Sequence, residues 1–484
     1  MASPVSSLKI KVFSGLLWRF AEKAGANLVR FVVSIILARL LAPELFGIFV
    51  IVTVFTGFIE LFVESGFGKS LIQKEDADNI DFSTVFYFTT AISVVLYVLL
   101  YFAAPFIADF YEYTQIASIL RVKGLSLFLC GINIAQTAYA SRNMLFKRFF
   151  WATTGAVMVS SIVALVVAYA GYGIWALVAQ SLVGAVTGTI ILFFTLAWRP
   201  TLAFSWQRMK SLYSFGWKIL FSSVIYRVYR ELRALVIGRL YSPVDLAFFS
   251  RGKSFPALIS DNFTKVTGSV FFPAISRKQK STETVKEMMR LSMSATSYLI
   301  WPLMVGLAVI AEPLVLLLLT EKWIEAVPFL QIACYYSALT PIQEANIQAI
   351  NAMGRSDITL KLRIIKTVAG IAILLLVMSY GVLAIALSTI LTSTVFLIIN
   401  IIPNAKLINY RLSEQMVDIL PYVGMSALMA AIIHHFRLLQ ISDILIIIIQ
   451  ITLGGGIYLL LSIIFKVKAF QFILGTCKQF LTRK

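Results

Sequence analysis

The side chains with the most distinctive chemistry in this sequence are basic residues inside otherwise apolar segments. They form three groups: Arg19, Lys23 and Arg30; Arg227, Arg230 and Arg233; and Arg251 and Lys265, which are joined by the polar Asn262. At about 100° per residue, the first group falls within about 40° on a helix, Arg227 and Arg230 lie about 60° apart, and the third group clusters within about 60°. Each helix would therefore present a stripe of positive charge along one face.

The elements that must position these stripes are membrane helices. Hydrophobic residues make up 59% of the 484-residue chain and charged residues only 13%, a balance outside the range of ordinary soluble domains. Apolar runs such as 91–111 and 444–465 are long enough to cross a hydrocarbon core of about 30 Å. The sequence therefore predicts an all-α, polytopic membrane protein.

The apolar segments number about fourteen. Their predicted centres lie near residues 27, 56, 95, 127, 160, 184, 226, 257, 304, 338, 370, 391, 425 and 453. Of the 42 lysines and arginines, roughly 26 fall in the connections on one side, about 4 on the other and about 12 within segments, which fits the positive-inside rule with both termini cytoplasmic. This distribution explains the net charge of +19 without a nucleic-acid partner.

The basic residues within segments need a partner, because a charge at the bilayer centre costs about 2.5–3.5 kcal/mol even on the lenient insertion scale. Some of these basic residues could be accommodated without a bound anion, in two ways. Arg19 and Arg233 could extend from helix ends to the interface, and Glu22, Glu231 and Asp261 could neutralise neighbours. Basic residues nevertheless outnumber intramembrane acids roughly two to one, so the surplus requires an anionic partner or water.

Several polar residues inside the segments are candidates for glycan or ion contacts. They are Glu60, Glu64, Asn262, Gln343, Glu344 and Asn346. Glu60 and Glu64 share one helix face and could hold an ion or pair with a basic neighbour. The amides and carboxylate near residue 345 could bind sugar hydroxyls or form hydrogen bonds between helices.

Catalytic, metal and cofactor sites are not predicted. Cys130, Cys334 and Cys477 are scattered, and the adjacent His434 and His435 diverge by about 100° on a helix. The sequence has no phosphate-binding GxxxxGK[ST] loop and no nucleophile–base set. No connection is long enough for a soluble catalytic domain, so the expectation is a protein that is not an enzyme and uses no metal or cofactor.

The sequence also contains an internal repeat. "ARLLAPELFG" (38–47) aligns with "GRLYSPVDLA" (238–247), and at the same offset Arg30 matches Arg230. Two related six-helix halves in the same orientation would produce this pattern, with their cationic stripes facing each other across a central cavity. The predicted divisions are an N-lobe at 1–200, a C-lobe at 201–410, and a C-terminal helix pair with a basic tail at 411–484.

Four stretches resemble one family of transporters. They are "GLLWRFAEKAGANLVRFVVSIILARLLAPELFGIF" (15–49), "WRPTLAFSWQRMKSLYSFGWKILFSSV" (198–224), "IGRLYSP" (237–243) and "NAMGRSDITLKLRIIK" (351–366). The chain resembles, over nearly its whole length, the Wzx-type polysaccharide flippases of the multidrug/oligosaccharidyl-lipid/polysaccharide exporter superfamily. The resemblance implies two lobes around a cavity and alternating access in the bacterial inner membrane.

The same resemblance implies the cargo, a glycan linked through diphosphate to a polyprenyl lipid, used for O-antigen, capsule or exopolysaccharide. It also implies contact with a polysaccharide polymerase and chain-length machinery. The diphosphate-binding residues implied by correspondence are Arg30 and Arg230, followed by Arg19, Lys23, Arg227 and Arg251. The alternatives are a peptidoglycan-precursor flippase, a cation-coupled multidrug exporter of the same superfamily, and a glycan polymerase.

Overall fold

The computed structural model describes residues 25–475 apart from 65, 439–440 and 472–473, and these residues form helices, turns and loops without a β-strand. The first half contains α1 (25–40), α2 (Pro43–Glu64), α3 (Phe67–Gln73), α4 (Asn79–Tyr111), α5 (Gln115–Gly124), α6 (Ser126–Arg142), α7 (Phe146–Tyr169), α8 (Trp175–Thr195) and α9 (Trp206–Leu240). The second half contains α10 (Pro243–Ser276), α11 (Thr282–Val309), α12 (Ala311–Leu319), α13 (Ala326–Ala352), α14 (Ser356–Val377), α15 (Val382–Leu407), α16 (Leu412–His434) and α17 (Asp443–Ile464).

The helices agree with the predicted membrane segments. Within the described part of the chain, nine helical stretches are long and apolar enough to cross a membrane. The other five predicted centres, near 27, 226, 257, 338 and 370, also lie within helices. The all-α, polytopic class is confirmed, whereas the number of membrane spans, fourteen, stays a prediction.

The chain forms two compact units that divide between Leu246 and Ala247. In the first unit, α7 packs against α8, α4 packs against α6, and α9 packs against α2, α3 and α4. In the second unit, α13 packs against α15 and α11, and α11 packs against α16. The lobe boundaries predicted near 200 and 410 stay a prediction.

Gly66 separates α2 from α3. Its φ of +73° lies in the left-handed region that favours glycine. A Cβ at this position would also lie 2.6 Å from the carbonyl oxygen of Gly216 on α9. Gly66 therefore ends α2 and allows the backbone of α9 to approach closely.

The connection between α8 and α9, residues 196–205, is bonded to the start of α4. The indole Nε1 of Trp198 donates to Asn79 Oδ1 at 2.6 Å. The backbone N–H of Thr201 donates to Ser83 Oγ at 3.0 Å, and that of Ser205 donates to Thr84 Oγ1 at 3.1 Å. Because Ser205 is also the N-cap of α9, these bonds fix the first turn of α9 on α4.

A group of ion pairs lies at the same place. Asp78 and Asp81 form a capping box at the start of α4, and the carboxylate of the fully buried Asp81 lies 2.7 Å from Lys74 Nζ and 3.4 Å from Arg208 Nη1. Arg208 also pairs with Asp78, and this hydrogen bond is the largest cause that lowers the pKa of Asp78 to about 2. Asp81 thus connects the ends of α3, α4 and α9.

We expect the substitution Asp81→Asn to destabilise the first unit. It keeps the capping geometry but removes the charge between Lys74 and Arg208, whose side chains are about one third exposed. Because solvent screens these partners, we expect a loss of about 1–2 kcal/mol rather than the larger cost of breaking a fully buried pair. A midpoint of thermal unfolding in detergent that is lower by a few degrees would show this loss.

Asp357→Asn is the matched control for this experiment. The Arg355–Asp357 pair has an N–O distance of 2.9 Å, but both side chains are about half exposed. We expect its unfolding midpoint to equal that of the unchanged protein, since exposed pairs contribute little. Equal midpoints for Asp81→Asn and Asp357→Asn would contradict the assigned role of Asp81.

Candidate functional site

The middle of α9 carries a group of charged side chains in the first unit. Arg230 Nε and Nη2 donate to Glu231 Oε1 at 3.0 and 2.9 Å. Arg227 Nε lies 3.4 Å from the same oxygen, one helical turn away. Arg233 lies two residues after Glu231, and its guanidinium carbon is 5.8 Å from the centre of the Tyr229 ring. One carboxylate oxygen therefore faces two guanidinium groups at once.

Arg227 reaches α2 at Gly57. A Cβ built at Gly57 would collide with the Arg227 guanidinium, so the glycine provides the space that this side chain occupies. Arg227 Nε is buried and has no hydrogen-bond acceptor among the described residues, since its contact with Glu231 is an ion pair. The guanidinium thus retains donor capacity for an anion.

The acidic residues of α2 lie beside this group. Glu64 interacts electrostatically with Glu60, Lys69 and Arg227. A cavity of about 210 Å³ between α2, α3, α6 and α9 is lined by Glu64, Lys69, Thr137, Ser141 and Ser223 among other residues. Such a volume has room for several water molecules, which would solvate the Glu64 carboxylate.

Lys123 on α5 joins the group through its contacts with α2. Its side chain is 5% exposed, and its Nζ donates to Thr56 Oγ1 at 2.7 Å. The ammonium lies 5.8 Å from the centre of the Phe49 ring and interacts with the charge of Glu60. Sequence reasoning missed Lys123, although it follows Ile116, Ile119 and Leu120 at helical spacing on the buried face of α5.

These side chains make up what we call the charged cluster. It consists of Glu60, Glu64, Lys69, Lys123, Arg227, Arg230 and Glu231 on α2, α3, α5 and α9. Four basic and three acidic groups give a formal charge of +1. The cluster therefore carries more positive than negative charge.

The structure places the predicted diphosphate-binding residues in different parts of the protein. The structure brings Arg227 and Arg230 together on α9, as described above. Arg30 on α1 is exposed. Arg19 and Lys23 lie outside the described residues. Arg251 belongs to the second unit, where its guanidinium lies 5.3 Å from the centre of the Trp323 ring.

Among the candidate glycan contacts, Asn346 is part of a buried network. Its Nδ2 donates to Gln415 Oε1 at 3.1 Å, and Asn404 Nδ2 donates to Asn346 Oδ1 at 2.8 Å. This network joins α13, α15 and α16, and Asn346 has no exposed surface. In this conformation Asn346 stabilises helix packing, which is the second of the two roles its sequence context allowed.

Three other candidates for glycan contacts also have local partners. Gln343 Nε2 donates to the carbonyl oxygen of Ser393 at 3.1 Å, and Glu344 accepts from Gln348 on the same helix. Asn262 is exposed on α10, and its Nδ2 donates to the carbonyl oxygen of Leu258 at 2.9 Å. A role for these three residues in glycan binding stays a prediction.

Comparison with known proteins places the chain in a family. The sequence model described as "Polysaccharide biosynthesis protein" matches residues 36–328, more than half of the chain. The chain belongs to this family. The resemblance to polysaccharide flippases that the sequence suggested is confirmed, and so is the description of the chain as a multi-pass membrane transporter of polysaccharide biosynthesis.

Three curated relatives of this family member match over most of their length. The succinoglycan biosynthesis transport protein ExoT of Rhizobium meliloti is 24% identical over 73% of this chain and 71% of its own. The teichuronic acid biosynthesis protein TuaB of Bacillus subtilis is 23% identical over 73% of each chain. The lipopolysaccharide biosynthesis protein WzxC of Escherichia coli is 22% identical over 75% and 74%.

Solved structures share the fold. The lipid II flippase MurJ in an inward closed conformation aligns with a TM-score of 0.76 at 14% identity, over 93% of this chain and 98% of its own. An inward-facing multidrug resistance MATE family transporter of the MOP superfamily aligns with a TM-score of 0.60 at 16% identity, over 79% and 95%. At these identities the likeness concerns the fold alone.

Proposed function

We propose that this family member moves oligosaccharide units linked through diphosphate to a polyprenyl lipid from the cytoplasmic to the outer leaflet of the bacterial inner membrane. The observation that carries the proposal is the pair Arg227 and Arg230, which meet at one carboxylate oxygen in a cluster with a formal charge of +1. Guanidinium groups offer several N–H donors in a planar fork that matches phosphate oxygens. A cationic site of this kind suits a diphosphate and disfavours a cationic drug.

The names of the relatives support this cargo class. ExoT is named as a transport protein for succinoglycan biosynthesis, and TuaB and WzxC are named for the biosynthesis of two other surface polymers. The transport cycle requires no chemical step, so the chain acts as a transporter rather than an enzyme. Polysaccharide polymerase and chain-length machinery on the outer side would receive the translocated units.

The orientation in the membrane is part of the same proposal. Basic residues flank the turn between α6 and α7 (Arg142, Lys147 and Arg148) and fill the connection that follows α10 (Arg277, Lys278 and Lys280). The connections that follow α4 and α7 contain no lysine or arginine. The positive-inside rule then places both termini in the cytoplasm.

Deletion of the gene in its source organism tests the function. We expect loss of one surface polysaccharide and accumulation of its lipid-linked repeat unit on the cytoplasmic side, both reversed by the intact gene. Growth arrest with accumulated peptidoglycan precursor would identify a precursor flippase instead, and drug sensitivity with normal polysaccharide would identify an exporter. Repeat units exposed outside without polymer would indicate a polymerase.

A further inference from the structure

Glu231 occupies an unusual position in the charged cluster. Its side chain is 19% exposed, and its Oε1 faces both Arg227 and Arg230. The charged or ionisable groups on the helices that pack against α9 include Glu60 and Glu64 on α2, Lys69 on α3 and Tyr111 on α4. Glu231 itself lies on α9, so it accompanies the two arginines wherever that helix moves.

A carboxylate resembles a phosphate to a guanidinium group. Both present oxygen atoms that accept charge-assisted N–H bonds in the same plane. Arg230 gives two of its N–H groups to Glu231. Any anionic cargo that binds Arg230 through these groups must first take them from Glu231.

We propose that Glu231 is a resident counter-anion, which neutralises Arg227 and Arg230 in the empty protein and is displaced when the diphosphate of the cargo binds. The inference rests on the proposed function, because it assumes a diphosphate cargo. Each binding event then exchanges one set of Arg–oxygen bonds for another. The net affinity is the difference between the two sets, so Glu231 weakens binding and favours release.

A transporter gains from such a competitor. An arginine pair that bound the diphosphate without opposition would hold the cargo tightly and release it slowly. The return of Glu231 to the arginines stabilises the empty site as the cargo leaves. Glu231 is therefore a determinant of affinity and of turnover, rather than a structural ion pair alone.

Binding to the purified full-length protein in lipid nanodiscs tests the inference. The probe is undecaprenyl-diphosphoryl-N-acetylglucosamine, and uncharged undecaprenol is the reference lipid. We expect the variant Glu231→Gln to bind the probe at least about tenfold more tightly than the unchanged protein, since the loss of one competing charge-assisted bond amounts to about 1.4 kcal/mol. In proteoliposomes the same variant should translocate the probe more slowly, with both KM and kcat reduced.

Glu112→Gln is the matched control. Glu112 pairs with Arg239 at 3.1 Å near the other end of α9, so its substitution removes a carboxylate from an arginine of the same helix outside the charged cluster. We expect its affinity for the probe to equal that of the unchanged protein. Should Glu231→Gln fail to fold, Glu231→Asp withdraws the carboxylate by one methylene group and should raise the affinity in the same direction.

Two results would overturn the inference, and they differ in what they leave standing. If Glu231→Gln binds the probe no more tightly than the unchanged protein does, Glu231 only orients the arginines, and the proposed function survives. If the unchanged protein binds the probe no more tightly than undecaprenol, recognition of a diphosphate fails and the proposed function fails with it.

Discussion

Replacing Arg227 with alanine is expected to reduce export of the oligosaccharide about 10- to 100-fold while the protein remains folded. The reduction corresponds to the loss of one charge-assisted hydrogen bond to the diphosphate, about 1.5–3 kcal/mol. Arg227→Lys should restore export only in part, because an ammonium keeps the charge but lacks the planar fork of donors. Surface polysaccharide per cell, normalised to the amount of protein in the membrane, is the measurement.

Gly57→Ala tests the position of the Arg227 guanidinium by a change on α2, the helix that packs against α9. The added methyl group meets the far end of the flexible Arg227 side chain, so the guanidinium must move while the backbone stays in place. We expect reduced export at an unchanged unfolding temperature. Gly455→Ala on α17, where a Cβ meets no atom within 4 Å, should leave both quantities unchanged. Normal export by Gly57→Ala would show that the position of Arg227 is unimportant.

Lys123→Met is the second substitution with a large expected effect, and here stability and activity should change in opposite directions. Lys123 is almost fully buried, with Thr56 as its hydrogen-bond partner. Burying a charge that is not held in a close ion pair costs free energy. An apolar side chain of similar volume removes that cost, and we expect a gain of up to about 1 kcal/mol. Loss of the positive charge beside Glu60 should at the same time lower export about tenfold or more.

Thermal unfolding in detergent and export in cells measure these two effects separately. Leu120→Met is the control, since Leu120 lies on the same buried face of α5 and this swap nearly conserves volume. We expect the control to retain normal export and stability. A clearly lowered unfolding temperature for Lys123→Met would assign Lys123 to structure, and normal export would exclude it from function.

The sequence predicted the helices because length and hydropathy determine them locally. Each predicted segment centre lies within a helix of the structure. It also predicted that α9 carries an arginine stripe, since helical periodicity alone places Arg227 and Arg230 on neighbouring positions. These features depend on residues close together in the chain.

The partners of the charged side chains could not be predicted in this way. The space that Gly57 leaves for Arg227 depends on how α2 packs against α9, across about 170 residues of chain. Asn346 could bind sugar or pack, and the answer depends on Asn404 and Gln415 from two other helices. Lys123 was detectable, because a lysine in an otherwise apolar helical stripe is itself a signal.

The hydrogen bonds between residues 196–205 and α4 have a mechanical consequence. They hold Ser205 in place at the start of α9, and Arg227 lies about 30 Å further along the helix axis at about 1.5 Å per residue. If α9 tilts about this held end, a rotation of about 10° displaces the Arg227 backbone by about 5 Å. In such a movement the anchored turn would be the pivot, and a small angular change there would become a shift as large as the separation between neighbouring turns of a helix.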